Sequence, residues 1–124
     1  MNNSLNKVVY ILTDDPKERC ELVSSVLAQA LTALSFDYEC DLFVMDNAAK
    51  LIKKGYTEGL KSKEFAPIDE LMKDYQEMGG KLYACHPATD ARGLHKEDCI
   101  DGVEYVNASR LLLCSKEAFA VYTF

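Results

Sequence analysis

The segment Lys81–Leu94 reads KLYACHPATDARGL. Its first five residues, KLYAC, suit a short strand. Pro87 belongs in the first turn of a helix, where its fixed φ is already helical and its missing N–H costs nothing. Gly93 supplies the stop, because glycine accepts the left-handed backbone that follows a helix end. A strand therefore hands over directly to a helix at Cys85-His86.

The same alternation extends outward. Val8–Leu12, VVYIL, is a continuous apolar and β-branched run, the pattern of a strand covered on both faces. In Thr13-Asp14-Asp15-Pro16, Asp15 has the chemistry of an N-cap, Pro16 of a first helical residue, and Glu18 of a capping-box partner. Val23, Val26, Leu27, Ala30, Leu31 and Leu34 recur at helical spacing and predict a long amphipathic helix ending near Ser35. Tyr38–Met45, YECDLFVM, reads as the second strand. Asp46 then caps a short helix over Asn47–Lys54, stopped by Gly55. After a polar loop through Lys63, Pro67 opens a helix whose apolar face is Ile68, Leu71, Met72, Tyr75 and Met78, ended by Gly79-Gly80.

Beyond the opening segment, Gly102 precedes a short fourth strand, Val103–Val106. Asn107 or Ser109 caps a helix through about Lys116, and Ala118–Phe124 forms a fifth strand. Strands alternating with helices predict an α/β fold: a parallel sheet covered on both faces and joined by right-handed crossovers. The 124 residues show no internal repeat and no domain boundary, so residues 1–124 are expected to form one domain.

The formal net charge is −6 and no basic run is present. Nucleic-acid binding needs a cationic surface that displaces counterions from phosphates, so that class is not expected. An acidic surface also disfavours anionic membranes. The start, MNNSLNK, lacks the apolar core of a leader, and no stretch approaches the ~20 apolar residues of a membrane span. A cytoplasmic location follows as the expectation. Cys20, Cys40, Cys85, Cys99 and Cys114 are odd in number, lack the spacing of a secreted disulfide framework, and read as thiols.

Ligands of open parallel sheets bind beyond the carboxyl ends of the strands. That rule selects Thr13 and Asp14, Asp46 and Asn47, Cys85 and His86, and Asn107 and Ala108. Among these Cys85 has the most distinctive chemistry. It lies just before a helix start, where the dipole and free N–H groups favour an anion, so its thiol pKa is expected to fall and a persulfide would be held equally well. The competing reading is a core thiol at a strand end. His86 has acid–base chemistry, and Arg92 can meet an anionic substrate or a neighbouring subunit. Cys85, His86, His95 and Cys99 have ligand chemistry but match no standard zinc spacing, so no metal is expected. Cys85 with Cys99 is a possible redox pair. A phospho-receiver reading fails because strand three ends in cysteine and no lysine follows strand five. The loop after strand one is not glycine-rich, which argues against a nucleotide site.

These segments resemble the DsrE/DsrF-like family of small sulfur-relay proteins. Cys85, Arg92 and Gly93 within KLYACHPATDARGL carry the resemblance, with Asp41–Gly55 and Glu97–Ser109 in support. His86-Pro87 departs from the small apolar residues common there. The resemblance implies a three-layer α/β/α sandwich with a mainly parallel five-stranded sheet, and a persulfide-forming cysteine at Cys85. It also implies assembly into trimers or hexamers. The function expected is a sulfur carrier or sulfurtransferase subunit that needs no cofactor and exchanges sulfur with donor and acceptor proteins. Catalysis is expected at Cys85, with Thr13, Asp14, Asn47, His86 and Arg92 as candidate substrate-binding residues. A non-catalytic oligomeric binding module, or a thiol-redox protein using Cys85 and Cys99, is the alternative.

Overall fold

The computed structural model describes residues 6–124; Met1–Leu5, part of the stretch expected to lack a leader, lie outside them. Five strands form one sheet: β1 Lys7–Leu12, β2 Glu39–Val44, β3 Lys81–Cys85, β4 Val103–Val106 and β5 Ala120–Thr123. Their order is β4-β3-β2-β1-β5, and every neighbouring pair is parallel. Four α-helices connect them: α1 Cys20–Ser35, α2 Ile68–Glu77, α3 His86–Ala91 and α4 Ala108–Lys116.

This order divides the helices between two layers. The steps β1→β2→β3→β4 all move in one direction, whereas α4 carries the chain back across the sheet to β5. Right-handed crossovers then require α4 to lie on the face opposite α1 and α2. The packing agrees. Val23, Val26, Leu27 and Ala30 of α1, with Ile68, Leu71, Met72 and Tyr75 of α2, share a core with Tyr10, Leu12, Leu42, Val44 and Leu82. Leu111 and Cys114 of α4 pack instead on Val9, Ile11, Phe43, Tyr83 and Val106. The fold is a three-layer α/β/α sandwich with an all-parallel sheet. Residues alternate between the two cores along β1, as the pleat demands.

Two buried polar devices fix the layers. The Tyr75 hydroxyl donates to the carbonyls of Cys40 (3.1 Å) and Lys81 (2.6 Å), tying α2 to the starts of β2 and β3. Its ring occupies the space a side chain on Gly80 would fill: a Cβ there would clash with the ring. On the opposite face, Asp41 is buried in β2 and answered by Lys7 Nζ at 3.2 Å. Burial, and then Asp41, push the neighbouring Cys114 thiol up.

The sequence misplaces one boundary. The helix expected from Pro16 begins at Cys20. Asp15 makes a turn instead: its carbonyl accepts from the N–H groups of Glu18 and Arg19, and its carboxylate accepts from the N–H of Lys17 at 2.9 Å. The same carboxylate accepts the Tyr56 hydroxyl at 2.8 and 2.9 Å and Lys50 Nζ at 3.4 Å. Asp15 thus caps the turn at residues 16–19 while also holding partners distant in sequence, and the α-helix starts after that turn. The short helix expected over Asn47–Lys54 is a 3₁₀ helix, Asp46–Ile52. Lys53 leaves it extended and bridges to Cys99. The fifth strand is shorter than the apolar run that announced it.

Candidate functional site

All strands run the same way, so their carboxyl ends share one rim. Binding crevices on such a rim form where adjacent strands send their exits to opposite faces. Here that happens between β3 and β4. Leu94, Cys99 and Ile100, from the β3–β4 connection, pack in the α1/α2 core, whereas β4 leads into α4 on the other face. Cys85 is the last residue of β3, opposite Val106 in register, and sits at this switch point.

Cys85 occupies the N-cap position of α3 with extended backbone (φ −78°, ψ 130°), and Pro87 lies in the first turn. Its side chain is 5% exposed and packs with Ala49 and Ala88, flanked by Met45 and Leu94. Burial pushes the thiol above its ordinary value, and the Asp46 carboxylate adds to the effect. The fall in pKa expected from the helix start is therefore corrected to a rise. A helix of six residues offers a weak dipole, and desolvation with a nearby negative charge outweighs it. Asp46 reaches this position through left-handed backbone (φ 49°) immediately after β2. Aspartate is among the few residues other than glycine that accept this conformation.

Two of the other candidates meet on the β2 side of Cys85. Arg92 Nε and Nη2 donate to Asn47 Oδ1 at 3.2 and 2.9 Å, and Nη1 donates to the Ala88 carbonyl at 3.0 Å. This joins the end of α3 to the 3₁₀ helix that follows β2. His86, half-buried, sits on the β4 side with its ring 6.2 Å from that of Tyr105; Lys96 Nζ stands 5.1 Å over the same ring. Thr13 and Asp14 do not join the group. They follow β1, two strand spacings or roughly 10 Å from β3. The Thr13 hydroxyl donates to the Phe124 carbonyl, and Asp14 pairs with Arg19.

Cys99 belongs to the α1/α2 core, whereas Cys85 lies in its own cluster at the rim, and both are free thiols. The structure thus places the two halves of the possible redox pair in separate surroundings. Nothing in the sequence spacing signals the Asp15–Tyr56–Lys50 cluster, whose tyrosine lies 41 residues from the aspartate. Asp46 was visible as a rim residue, but its influence on Cys85 needed the strand order.

The DsrE/DsrF-like family model matches residues 6–124. An uncharacterized protein of Methanocaldococcus jannaschii is 33% identical over 118 residues, covering 95% of this chain and 99% of its own. Another, from Methanopyrus kandleri, is 31% identical over 120 residues, covering 97% and 95%. The chain belongs to the DsrE/DsrF-like family. Among solved structures, the ychN protein of E. coli superposes with a TM-score of 0.74 at 22% identity, covering 96% of this chain and 99% of that one. A protein of unknown function from Methanobacterium thermoautotrophicum gives 0.68 at 15%, covering 94% and 97%. At these identities the likeness speaks for the fold. No helix among the described residues is long and apolar enough to cross a membrane.

Proposed function

We propose that the chain is a sulfur carrier or sulfurtransferase subunit that holds sulfane sulfur as a persulfide on Cys85 and passes it to a partner protein. The observation that carries this reading is the position of Cys85, at the switch point of the rim in a DsrE/DsrF-like chain. The Cys85 thiolate attacks the sulfane sulfur of a donor. A new S–S bond forms as the donor's bond to that sulfur breaks, its electron pair leaving with the donor. A nucleophile on the acceptor then takes the outer sulfur and releases the thiolate. Burial and Asp46 keep the resting thiol protonated, so ionisation accompanies engagement of a donor or partner. Mass spectrometry after incubation with a sulfane donor tests the reading. One added sulfur atom on the wild type, absent from Cys85→Ser, is expected; no gain, or equal gain in both, refutes it.

The reading includes self-assembly, as a trimer or hexamer. Phe36 is 72% exposed, Phe119 60% and Leu112 71%. Phe36, Tyr38, Phe119 and Tyr122 line one groove of about 300 Å³ beside the edge strand β5. This edge carries no charge from Ala118 to Phe124, so its short length, four residues in β5, is not backed by charged side chains as a guard against pairing. Sedimentation analysis of Phe119→Ser and Leu112→Ser should show smaller particles; unchanged mass in both counts against assembly through these residues.

A non-catalytic binding module of the same fold is the second reading, favoured by the burial and raised pKa of Cys85. It predicts that Cys85→Ser preserves assembly and leaves sulfur uptake equally absent.

A further inference from the structure

Arg92 is half-buried, yet none of the ion pairs among the described residues includes it. Its partners are a neutral amide oxygen, Asn47 Oδ1, and a backbone carbonyl, Ala88. A guanidinium has five N–H donors. Three are engaged here and fix the plane of the group, which leaves donors on Nη1 and Nη2 unspent. The positive charge is thus held rigidly and left without a carboxylate, in a chain whose net charge is −6. Ordering the guanidinium has already been met by Asn47, so an anion that docks on it loses little further freedom. Ala88, whose carbonyl anchors Nη1, also packs on Cys85. Seven residues of helical rise put the Arg92 and Cys85 backbones about two turns, roughly 10 Å, apart, and the bond to the Ala88 carbonyl draws the guanidinium back along α3 toward Cys85.

We propose that Arg92, positioned by Asn47, is the anion-binding group of the Cys85 site, and that the sulfur donor is a small sulfane compound bearing an oxyanion, of the thiosulfate class. This rests on the reading of Cys85 as a persulfide carrier. With thiosulfate, Cys85 first releases its proton to solvent. The thiolate attacks the outer sulfur, the Cys85 S–S bond forms, and the S–SO₃ bond breaks. Its electron pair leaves on sulfite, so one thiolate and one thiosulfate dianion become one persulfide anion and one sulfite dianion. Arg92 holds the oxyanion end throughout. Asn47 is a positioning residue, since it touches the guanidinium and not the donor.

The test compares thiosulfate, which leaves a persulfide on Cys85 as sulfite departs, with neutral dimethyl trisulfide, which leaves a methyl-capped sulfur chain as methanethiolate departs, by the rate at which the Cys85 thiol is consumed. Arg92→Gln should raise the half-saturating thiosulfate concentration about ten- to a hundredfold, the loss expected for charge-assisted hydrogen bonds. Its rate with the trisulfide should change less than about twofold. Asn47→Ala should raise the same concentration to a smaller degree with the saturated rate kept, and Arg92→Lys should recover part of the loss. Equal effects on both donors, or no effect of Arg92→Gln, overturn the inference. Calorimetry of thiosulfate binding to Cys85→Ser, with and without Arg92→Gln, separates the two ideas. Binding that depends on Arg92 supports the anion site even where no sulfur is transferred to the wild type, which would sink the carrier reading alone. Absence of binding to Cys85→Ser overturns the anion site.

Discussion

Tyr75→Phe removes one oxygen atom and keeps the ring. The hydroxyl is buried and donates to two carbonyls, Cys40 and Lys81, at the amino ends of β2 and β3. Losing its one proton, which the two carbonyls share, leaves them short of a donor, worth about 1–3 kcal/mol in total. For a chain of this size in urea, where the slope is about 1–3 kcal/mol per molar, the unfolding midpoint should fall by roughly 1 M. Far-UV circular dichroism is the suitable probe, because the chain has no tryptophan. The slope itself should not change, since the ring still packs. Cys85 lies at the other end of β3, so its alkylation rate in the folded protein should be unaffected. A midpoint within about 0.2 M of wild type would show that water or rearrangement replaces the hydroxyl. A parallel loss of Cys85 reactivity would show that the two ends of β3 are not independent.

Other consequences concern charge. The Cys85 thiol is raised by burial and then by Asp46, so its reaction with iodoacetamide should increase with pH through and beyond 9.0, the ordinary thiol value. Asp46→Asn removes the repulsive charge and should move that profile to lower pH; a wild-type rate already level by pH 7 contradicts the assignment. For Asp15, burial opposes the charge, but the Lys17 N–H, the Tyr56 hydroxyl and Lys50 outweigh it and depress the pKa below 3.8. A depressed carboxyl stabilises the fold above its unfolded value and loses that contribution as pH falls through the folded one. Asp15→Asn should therefore be less stable than wild type at pH 7, with the gap closing below about pH 3.8; urea unfolding at both ends of that range decides it.

The sheet was legible because each strand carries its own signal. VVYIL and KLYAC are apolar runs closed by turn chemistry, and Pro87 with Gly93 frames α3. Strand order was not legible, because it depends on which edges meet after the helices have packed. The site followed the same division. Cys85 could be placed at the rim from its strand end alone. Its ionisation could not, because the sign depends on Asp46, 39 positions earlier in the chain, and on burial by Ala49 and Ala88. The bond between Arg92 and Asn47 was equally out of reach, since neither residue has a local reason to seek the other. Asp15 shows local and tertiary partners sharing one group: its carboxylate accepts the Lys17 N–H as its capping chemistry predicts, and it also binds Tyr56 and Lys50, which no local pattern announces.

The pairing of β1 with β5 sets the order in which this molecule can close. Val8 meets Ala120 and Ile11 meets Thr123, so the first strand waits for nearly the whole described chain before its second neighbour arrives. Such distant contacts carry their loop-closure entropy before any reward, and sheets built this way fold slowly. On the ribosome, β1 to β4 can assemble while one flank of β1 stays open and apolar. That interval exposes VVYIL to other nascent copies, and it ends when Tyr122 stacks on Tyr10 with their ring centres 5.6 Å apart.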